Sequence, residues 1–446
     1  MSHPFTNNVN QEFKGTGGTL TFAGGETYEV TFQIYLLNSG YLIGSVWFTS
    51  LNQSLETKLN MNQTFVLSGL IHDNDSNIIA EGCSFYSITH KEIDQFPYPI
   101  IICGFTIDTV KVYDIQAIKT INDQKTTLTF EFGVLNYYSI TRFSLNTEVG
   151  IIQNNNLLTE DEIPIFRKSF LPFISSIFSL KIERNKSLQD HILEVTKVIS
   201  KILDLTSFAL TTEHKWCYYK VFKEDAHSKP IFSELVNTIP KLPNSHSNIS
   251  DSRIQDFLNL CYKHYDDHLD KYNFSFVLKW YLDSLSLKYD VMQFISASIA
   301  LETILAYSGA KEFVIENKLF TKLRKELEKV IKDNLQGKVA SVDIRSLLAS
   351  LPNINRRHYK KKTIDLLQSL GIFDTDAENK LNRITPVRNK IVHSGRFKVP
   401  LSNNGSVIES YFELFNLLSK IFFRVLVNDV NIFNREFHDM EWQRLE

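Results

Sequence analysis

The sequence predicts a multidomain α+β chain, with a β-rich N-terminal sheet or sandwich region followed by an all-α helical bundle. Three observations carry this. Apolar residues alternate with polar ones over residues 10–150 and recur every three to four residues beyond 250. The 446 residues suffice for two to four domains at roughly 100–200 residues each. At 43% hydrophobic and 22% charged, with 33 Phe and 18 Tyr, the chain can bury more than one core, which excludes a disordered, collagen-like or low-complexity protein.

In the first 150 residues, Gly24-Gly25 precedes Tyr28, Val30, Phe32 and Ile34, which alternate with Glu29, Thr31 and Gln33. A turn at Asn38-Ser39-Gly40 leads into Tyr41–Phe48. Thr64–Ile71, Pro99–Thr106, Val110–Tyr113, Thr126–Val134 and Tyr138–Asn146 repeat the pattern. Short β-branched and aromatic runs bounded by Gly, Asn and Asp are strands. Gly15-Thr16-Gly17-Gly18 reads as a turn, because it lacks the lysine and strand-to-helix context of a phosphate loop.

Residues 151–250 form a mixed intermediate region and linker. Gln153–Asn156 reads as a loop, Gln189–Leu203 as a helix and Lys215–Phe222 as a strand. Residues 236–251 are dense in turn formers and serve as the linker candidate. Within 251–446, helices are expected at Asp251–Tyr265, Phe274–Leu285, Val291–Tyr307, Lys318–Leu335, Tyr359–Leu370, near 377–394 and at Ser406–Asn428. Their stripes, such as Leu319, Leu323, Leu327, Val330 and Ile331, are expected to bury against one another.

No basic start followed by an apolar run opens the chain, so no signal peptide is expected. No stretch reaches the roughly 18 apolar residues of a membrane span. Cys83, Cys103, Cys217 and Cys261 form no CxxC and suit neither a disulfide framework nor a zinc site. A reducing cytoplasm follows as the expected compartment. His264 and His268 are four residues apart but lack a third ligand at motif spacing, so neither a metal nor a cofactor is expected.

Lys+Arg total 48 against 50 Asp+Glu. Residues 311–400 nevertheless hold 20 Lys+Arg and 10 Asp+Glu, a local charge of +10. Arg356, Arg357, Lys360, Lys361 and Lys362 are its densest part. They are either an RNA-attracting patch or the solvated start of a helix.

The stretch Thr385-Pro386-Val387-Arg388-Asn389-Lys390-Ile391-Val392-His393-Ser394-Gly395 carries the candidate chemistry. Pro386 suits a first helical position with Thr385 as cap, and Gly395 suits the residue past the end, giving a helix of two turns. Asn389 and His393, four apart, then share a face. A guanidinium beside a titratable imidazole fits phosphodiester chemistry: Arg388 holds phosphate oxygens and His393 moves the proton. The bland reading makes them a cap or core pair. Asn389 either orients His393, contacts the phosphate, or bonds a neighbouring helix. Glu302 interrupts an apolar helix, and either holds Arg388 or meets an unrelated core partner.

Arg388-Asn389-x-x-x-His393 resembles the R-N-x-x-x-H signature of HEPN ribonucleases. Together with the β-rich N-terminal region and the Phe294–Leu305 helix carrying Glu302, the chain resembles the ApeA-type family of prokaryotic abortive-infection, anti-phage proteins. The resemblance implies a helical HEPN nuclease domain over 251–446 that dimerises so that two motifs face one another. It implies a metal-independent endoribonuclease, in which the ribose 2′-hydroxyl attacks the adjacent phosphate to leave 2′,3′-cyclic phosphate ends. It also implies that residues 1–150 sense an invader component, such as a phage protein. The competing function is a non-catalytic HEPN scaffold that binds RNA, a nucleotide or a partner protein.

Overall fold

The computed structural model describes residues 9–48, 63–72, 76–91, 100–121, 126–137, 140, 142–157, 172–224, 229–238, 240, 247–250, 253–287, 290–309, 311–394 and 407–427. It is mixed α+β, and the chain divides into two compact units, Met1–Tyr262 and Lys263–Glu446. Among the described residues, no helix is long and apolar enough to cross a membrane.

The first unit is built on β1 (Val9–Phe22), β2 (Thr27–Leu37), β3 (Leu42–Phe48), β4 (Thr64–Ile71), β5 (Ser76–Lys91), β6 (Ile100–Thr106) and β7 (Thr109–Tyr113). After the short helix α1 (Ile115–Ile121) come β8 (Thr127–Asn136), β9 (Ser144–Thr147), β10 (Gly150–Asn156) and β11 (Phe173–Glu183). Helix α2 (Leu188–Leu210), β12 (Lys215–Lys223), β13 (Phe232–Val236) and α3 (Ile254–Cys261) complete it. The strands form one antiparallel sheet in the order β4-β1-β2-β3-β6-β5-β7-β13-β12-β8-β11-β10-β9. Because β4 pairs with β5 as well as β1, the six strands β1-β2-β3-β6-β5-β4 close on themselves. Closure removes exposed edges from that half of the sheet.

Alternation fills the core of this closed sheet. Phe32, Phe65, Leu67, Phe85 and Phe105 are buried, and Phe65 stacks on Phe85 with ring centroids 4.4 Å apart. Phe32 needs room from its neighbours: a Cβ on Gly18 or Gly69 would stand 2.6 Å from its ring. The expected turn at Gly15–Gly18 is instead a bulge within β1, with Gly17 at φ +74°. The one extra residue lets the chain pass the ring without leaving the ladder.

The strands within 151–250 belong to the same sheet. The expected loop Gln153–Asn156 is a strand paired on both sides, to β9 and β11. The Asn154 side chain is buried there and donates to the Ile140 carbonyl at 3.2 Å, so a polar run survives inside the sheet. Of the strand expected at Tyr138–Asn146, Ser144–Thr147 forms, while 138–139 and 141 lie outside the described residues. The described end of the expected linker is packed. Asn248 is buried and donates to the Phe208 carbonyl at 2.7 Å, and the Ile249 amide donates to the Ala209 carbonyl at 2.9 Å. These bonds satisfy carbonyls at the end of α2, where Thr211 takes a left-handed φ of 51°.

Helix α3 also belongs here, which moves the unit boundary from the expected 250/251 to 262/263. Phe257 packs on Phe208 of α2, and Gln255 acts as a substitute strand for β9. Its Oε1 accepts from the Ser144 amide at 2.7 Å and its Nε2 donates to the Ser144 carbonyl at 2.9 Å. The four cysteines are buried with free thiols, and burial pushes each thiol pKa upward.

The second unit is helical: α4 (Tyr265–Tyr272), α5 (Phe274–Ser286), α6 (Asp290–Tyr307), α7 (Asn317–Leu335), α8 (Ser341–Ile354), α9 (Tyr359–Leu370), α10 (Thr375–Ser394) and α11 (Val407–Val427). Helices α5, α6 and α11 form its core. Tyr281 stacks on Phe415 at 4.6 Å, and its hydroxyl meets Ser419 Oγ at 2.8 Å. Helix α10 is tied to α11 by Arg383 Nε and Glu413 Oε1 at 2.5 Å, and Arg424 of α11 donates to the last carbonyl of α9 at 2.7 Å.

Two expectations change here. Leu319, Leu323 and Val330 of α7 stay 61%, 41% and 55% exposed, while Phe320 is buried and Leu327 and Ile331 are half-buried. Helical periodicity shows which face is apolar, not whether this chain covers it. The expected two-turn helix starting at Pro386 is the second half of a 20-residue helix. Its start is capped at Asp374, whose carboxylate accepts from the Ala377 amide at 2.7 Å.

Candidate functional site

The site begins with a fixed backbone. Asn355 is buried, and its amide side chain pairs with both backbone groups of Ile315, accepting from N at 2.8 Å and donating to O at 2.9 Å. The Val314 amide donates to the Asn355 carbonyl at 2.8 Å, and the Arg357 amide to the Glu312 carbonyl at 2.9 Å. Residues 356–358 therefore enter α9 on a defined path. His358 is the N-cap residue, and no acidic residue occupies the first turn.

Helix α10 brings Arg388 toward α6. Arg388 Nε and Nη2 both donate to Glu302 Oε1, at 3.0 and 2.6 Å, and Nη1 donates to Asn389 Oδ1 at 3.2 Å. The guanidinium lies over the Tyr359 ring, 5.2 Å from its centroid. Among the described residues, these contacts engage three of the five N–H donors of a guanidinium, leaving two for an anion. The Tyr359 hydroxyl and Thr385 Oγ1 are buried without hydrogen-bond partners among the described residues. Burial pushes the Tyr359 pKa well up, Glu302 adds to this and Arg388 opposes it, so the hydroxyl keeps its proton.

These residues share a cleft of about 720 Å³ within the second unit. It is lined by Glu302, Thr385, Arg388 and Asn389, and also by Arg356, Arg357, His358, Tyr359, Lys360 and Lys362. Five cations and one carboxylate face it. The motif and the basic run, which the sequence presents as separate features, meet in one place.

The members of the basic run differ. Lys360 Nζ donates to Asn382 Oδ1 at 2.5 Å, and Lys362 lines the cleft. Arg356 approaches Glu312 at 4.0 Å with both side chains exposed, a pairing worth little. Arg357 is committed elsewhere, to Asp365 and to the Phe313 carbonyl at 3.2 Å. Lys361 pairs with Asp365 at 3.2 Å and does not line the cleft. His393 falls in the last turn of α10, one turn beyond Asn389, but its side chain lies outside what the structure describes.

His358, Tyr359 and Thr385 are additions to the sequence-derived set. His358 and Tyr359 sit inside a run read for its lysines and arginines alone. An imidazole and an aromatic ring embedded in a cationic run are the signal that marks them. Of the two histidines four residues apart, His264 is half-buried, and the side chain of His268 on α4 lies outside what the structure describes. Among the described residues, no group of three or more His, Cys, Asp or Glu is arranged to hold a metal ion.

Comparison with protein-family models, curated proteins and solved structures finds no match to this chain.

Proposed function

We propose that the chain is an endoribonuclease of anti-phage abortive infection, acting in the cytoplasm without a metal cofactor. The observation that supports this best is the shared cleft. Arg388, oriented by Glu302 and Tyr359, opens on the same cavity as Asn389 and Arg356, Lys360 and Lys362 of the basic run. An RNA strand drawn in by Arg356, Lys360 and Lys362 would place a phosphate beside the two remaining Arg388 donors. The ribose 2′-hydroxyl attacks that phosphate, the P–O5′ bond breaks, and the ends are a 2′,3′-cyclic phosphate and a 5′-hydroxyl. His393 takes the 2′-hydroxyl proton. Two copies of the second unit bring their motifs together in a homodimer, and the β-rich first unit restrains or releases them on meeting a phage protein.

The deciding experiment is RNA cleavage by the full chain in excess chelator, with and without phage lysate, followed by end-group analysis. Cyclic phosphate ends that are lost in both Arg388→Ala and His393→Ala support the assignment. Strict Mg²⁺ dependence, 3′-hydroxyl ends, or wild-type rates in either variant overturn it.

One observation favours the second reading, a non-catalytic scaffold that binds RNA, a nucleotide or a partner protein. Glu302 and Asn389 already engage Arg388 within the chain, as a purely structural arginine would be engaged. A protein that binds RNA through the cleft but leaves it intact under every condition is that scaffold.

A further inference from the structure

Transphosphorylation needs two proton transfers. A base removes the 2′-hydroxyl proton, and an acid protonates the 5′-oxygen as the P–O5′ bond breaks. The nuclease reading assigns one histidine, His393, to the first. The cleft itself supplies a candidate for the second.

Among the described side chains that line the cleft, few can give up a proton near neutral pH. Arginines do not, and a lysine ordinarily titrates near 10.4. Burial drives the Tyr359 hydroxyl further from neutrality, and that hydroxyl is out of solvent. Asn389 and Thr385 do not titrate in this range, and the Glu302 carboxylate is taken up by Arg388, whose Nε and Nη2 both donate to its Oε1. His358 remains, an exposed imidazole on the rim. Its placement is built rather than incidental. The segment 355–357 is pinned to 312–315 by backbone bonds and by the buried Asn355 amide. His358 then takes the N-cap position of α9, with no capping bond from its side chain, next to Tyr359, on whose ring the Arg388 guanidinium rests.

Resting on the nuclease reading, we propose that His358 is a catalytic residue, the general acid for the leaving 5′-oxygen. The 2′-oxygen forms its bond to phosphorus as its proton passes to His393. The P–O5′ electron pair goes to the 5′-oxygen, which takes a proton from the His358 imidazolium. Water restores both imidazoles between turnovers.

The test uses the full-length protein and two short RNAs, one ordinary and one with a single bridging 5′-sulfur at the cleavage site. A thiolate leaves without help from an acid, so only the ordinary RNA requires one. His358→Gln is expected to lose at least about a hundredfold on the ordinary RNA and less than about threefold on the sulfur substrate, with an unchanged thermal midpoint. His358→Ala should match it. Equal losses on both substrates, or an ordinary rate within about threefold of wild type, overturn the proposal. If the wild type cleaves and Arg388→Ala does not, that overturning leaves the nuclease reading standing, with the acid supplied from elsewhere, including a second copy's His393. If the wild type cleaves neither RNA under any condition, the nuclease reading fails and this proposal fails with it.

Discussion

Arg388 on α10 and Glu302 on α6 lie 86 positions apart in sequence and meet through a single carboxylate oxygen, which takes both Nε and Nη2. The guanidinium so held lies over the Tyr359 ring, and the side chain lines the cleft. Glu302 is therefore expected to act through Arg388. Glu302→Gln keeps the shape but weakens the charge-assisted bonds. On the nuclease reading it should lower kcat roughly tenfold to a hundredfold, the scale of a misplaced catalytic group, while affinity for a 2′-deoxy analogue of the substrate holds. A rise in kcat would instead make Glu302 a restraint on Arg388.

The basic run should separate into two classes. Arg356, Lys360 and Lys362 line the cleft, so changing all three to Gln should lower the RNA-binding salt slope by about 2, at about 0.7 per phosphate contact on a single strand. Arg357 lines the same cleft but is held by Asp365 and the Phe313 carbonyl, with its side chain 19% exposed. Arg357→Gln should cost stability, about 1–3 kcal/mol, because Asp365 loses a partner in a partly buried setting. Urea unfolding and salt-dependent binding measured on both variants check the division. A flattened slope with no loss of stability in Arg357→Gln would return Arg357 to the RNA-contacting class.

The closed sheet makes a prediction of its own. A methyl group on Gly69 would stand 2.6 Å from the Phe32 ring and 3.1 Å from the Gly18 Cα, leaving the ring nowhere to go. Gly69→Ala should destabilise by about 1–3 kcal/mol through overpacking. Phe32→Leu in the same chain should recover part of that loss. Additive losses in the double variant would show that the two residues do not share the space.

That geometry also shows where the sequence stops being legible. Thr64–Ile71 reads as a strand because β-branched and aromatic residues lead to the turn-forming run Asp73-Asn74-Asp75. β1 escapes the same reading because its glycines answer to Phe32, a partner supplied by another strand. α8 escapes because its exposed faces blur the period, and because Pro352 suggests an end where the helix continues. The site divides the same way. Arg388, Asn389 and His393 are visible as a spaced motif within one segment. That Arg356, His358, Lys360 and Lys362 share a cavity with Arg388 depends on how α9 and α10 pack, and no local pattern encodes this. Pro386 misleads for a related reason, since a proline at a first helical position and one inside a longer helix look alike over ten residues.

Buried histidine should set the acid stability of the first unit. His214 is fully enclosed, with Nε2 2.5 Å from Asn136 Nδ2 and its backbone amide donating to Ser207 Oγ at 2.9 Å. Burial depresses its pKa to about 3, from an ordinary value of 6.5. His191 is also buried, accepts from the Asn185 and Lys186 amides at 3.3 Å, and is shifted downward, chiefly by burial. The unfolded chain thus binds protons on both imidazoles before the folded chain does. Stability is fully present above about 6.5 and falls as pH drops toward the folded value, by at most about 1.4 kcal/mol per pH unit for each histidine. Carboxylates such as Asp114, held low by the Ala117 amide and then by Lys229, and Asp376, held low by Lys380, lose their contribution only below about 4. The window between about pH 6.5 and 4.5 therefore reports the histidines. His214→Gln, a residue that can keep a hydrogen bond to Asn136 but cannot titrate, should flatten the pH dependence of the urea midpoint in that window and leave the His191 share. A slope equal to that of the wild type would show that His214 protonates without opening the fold.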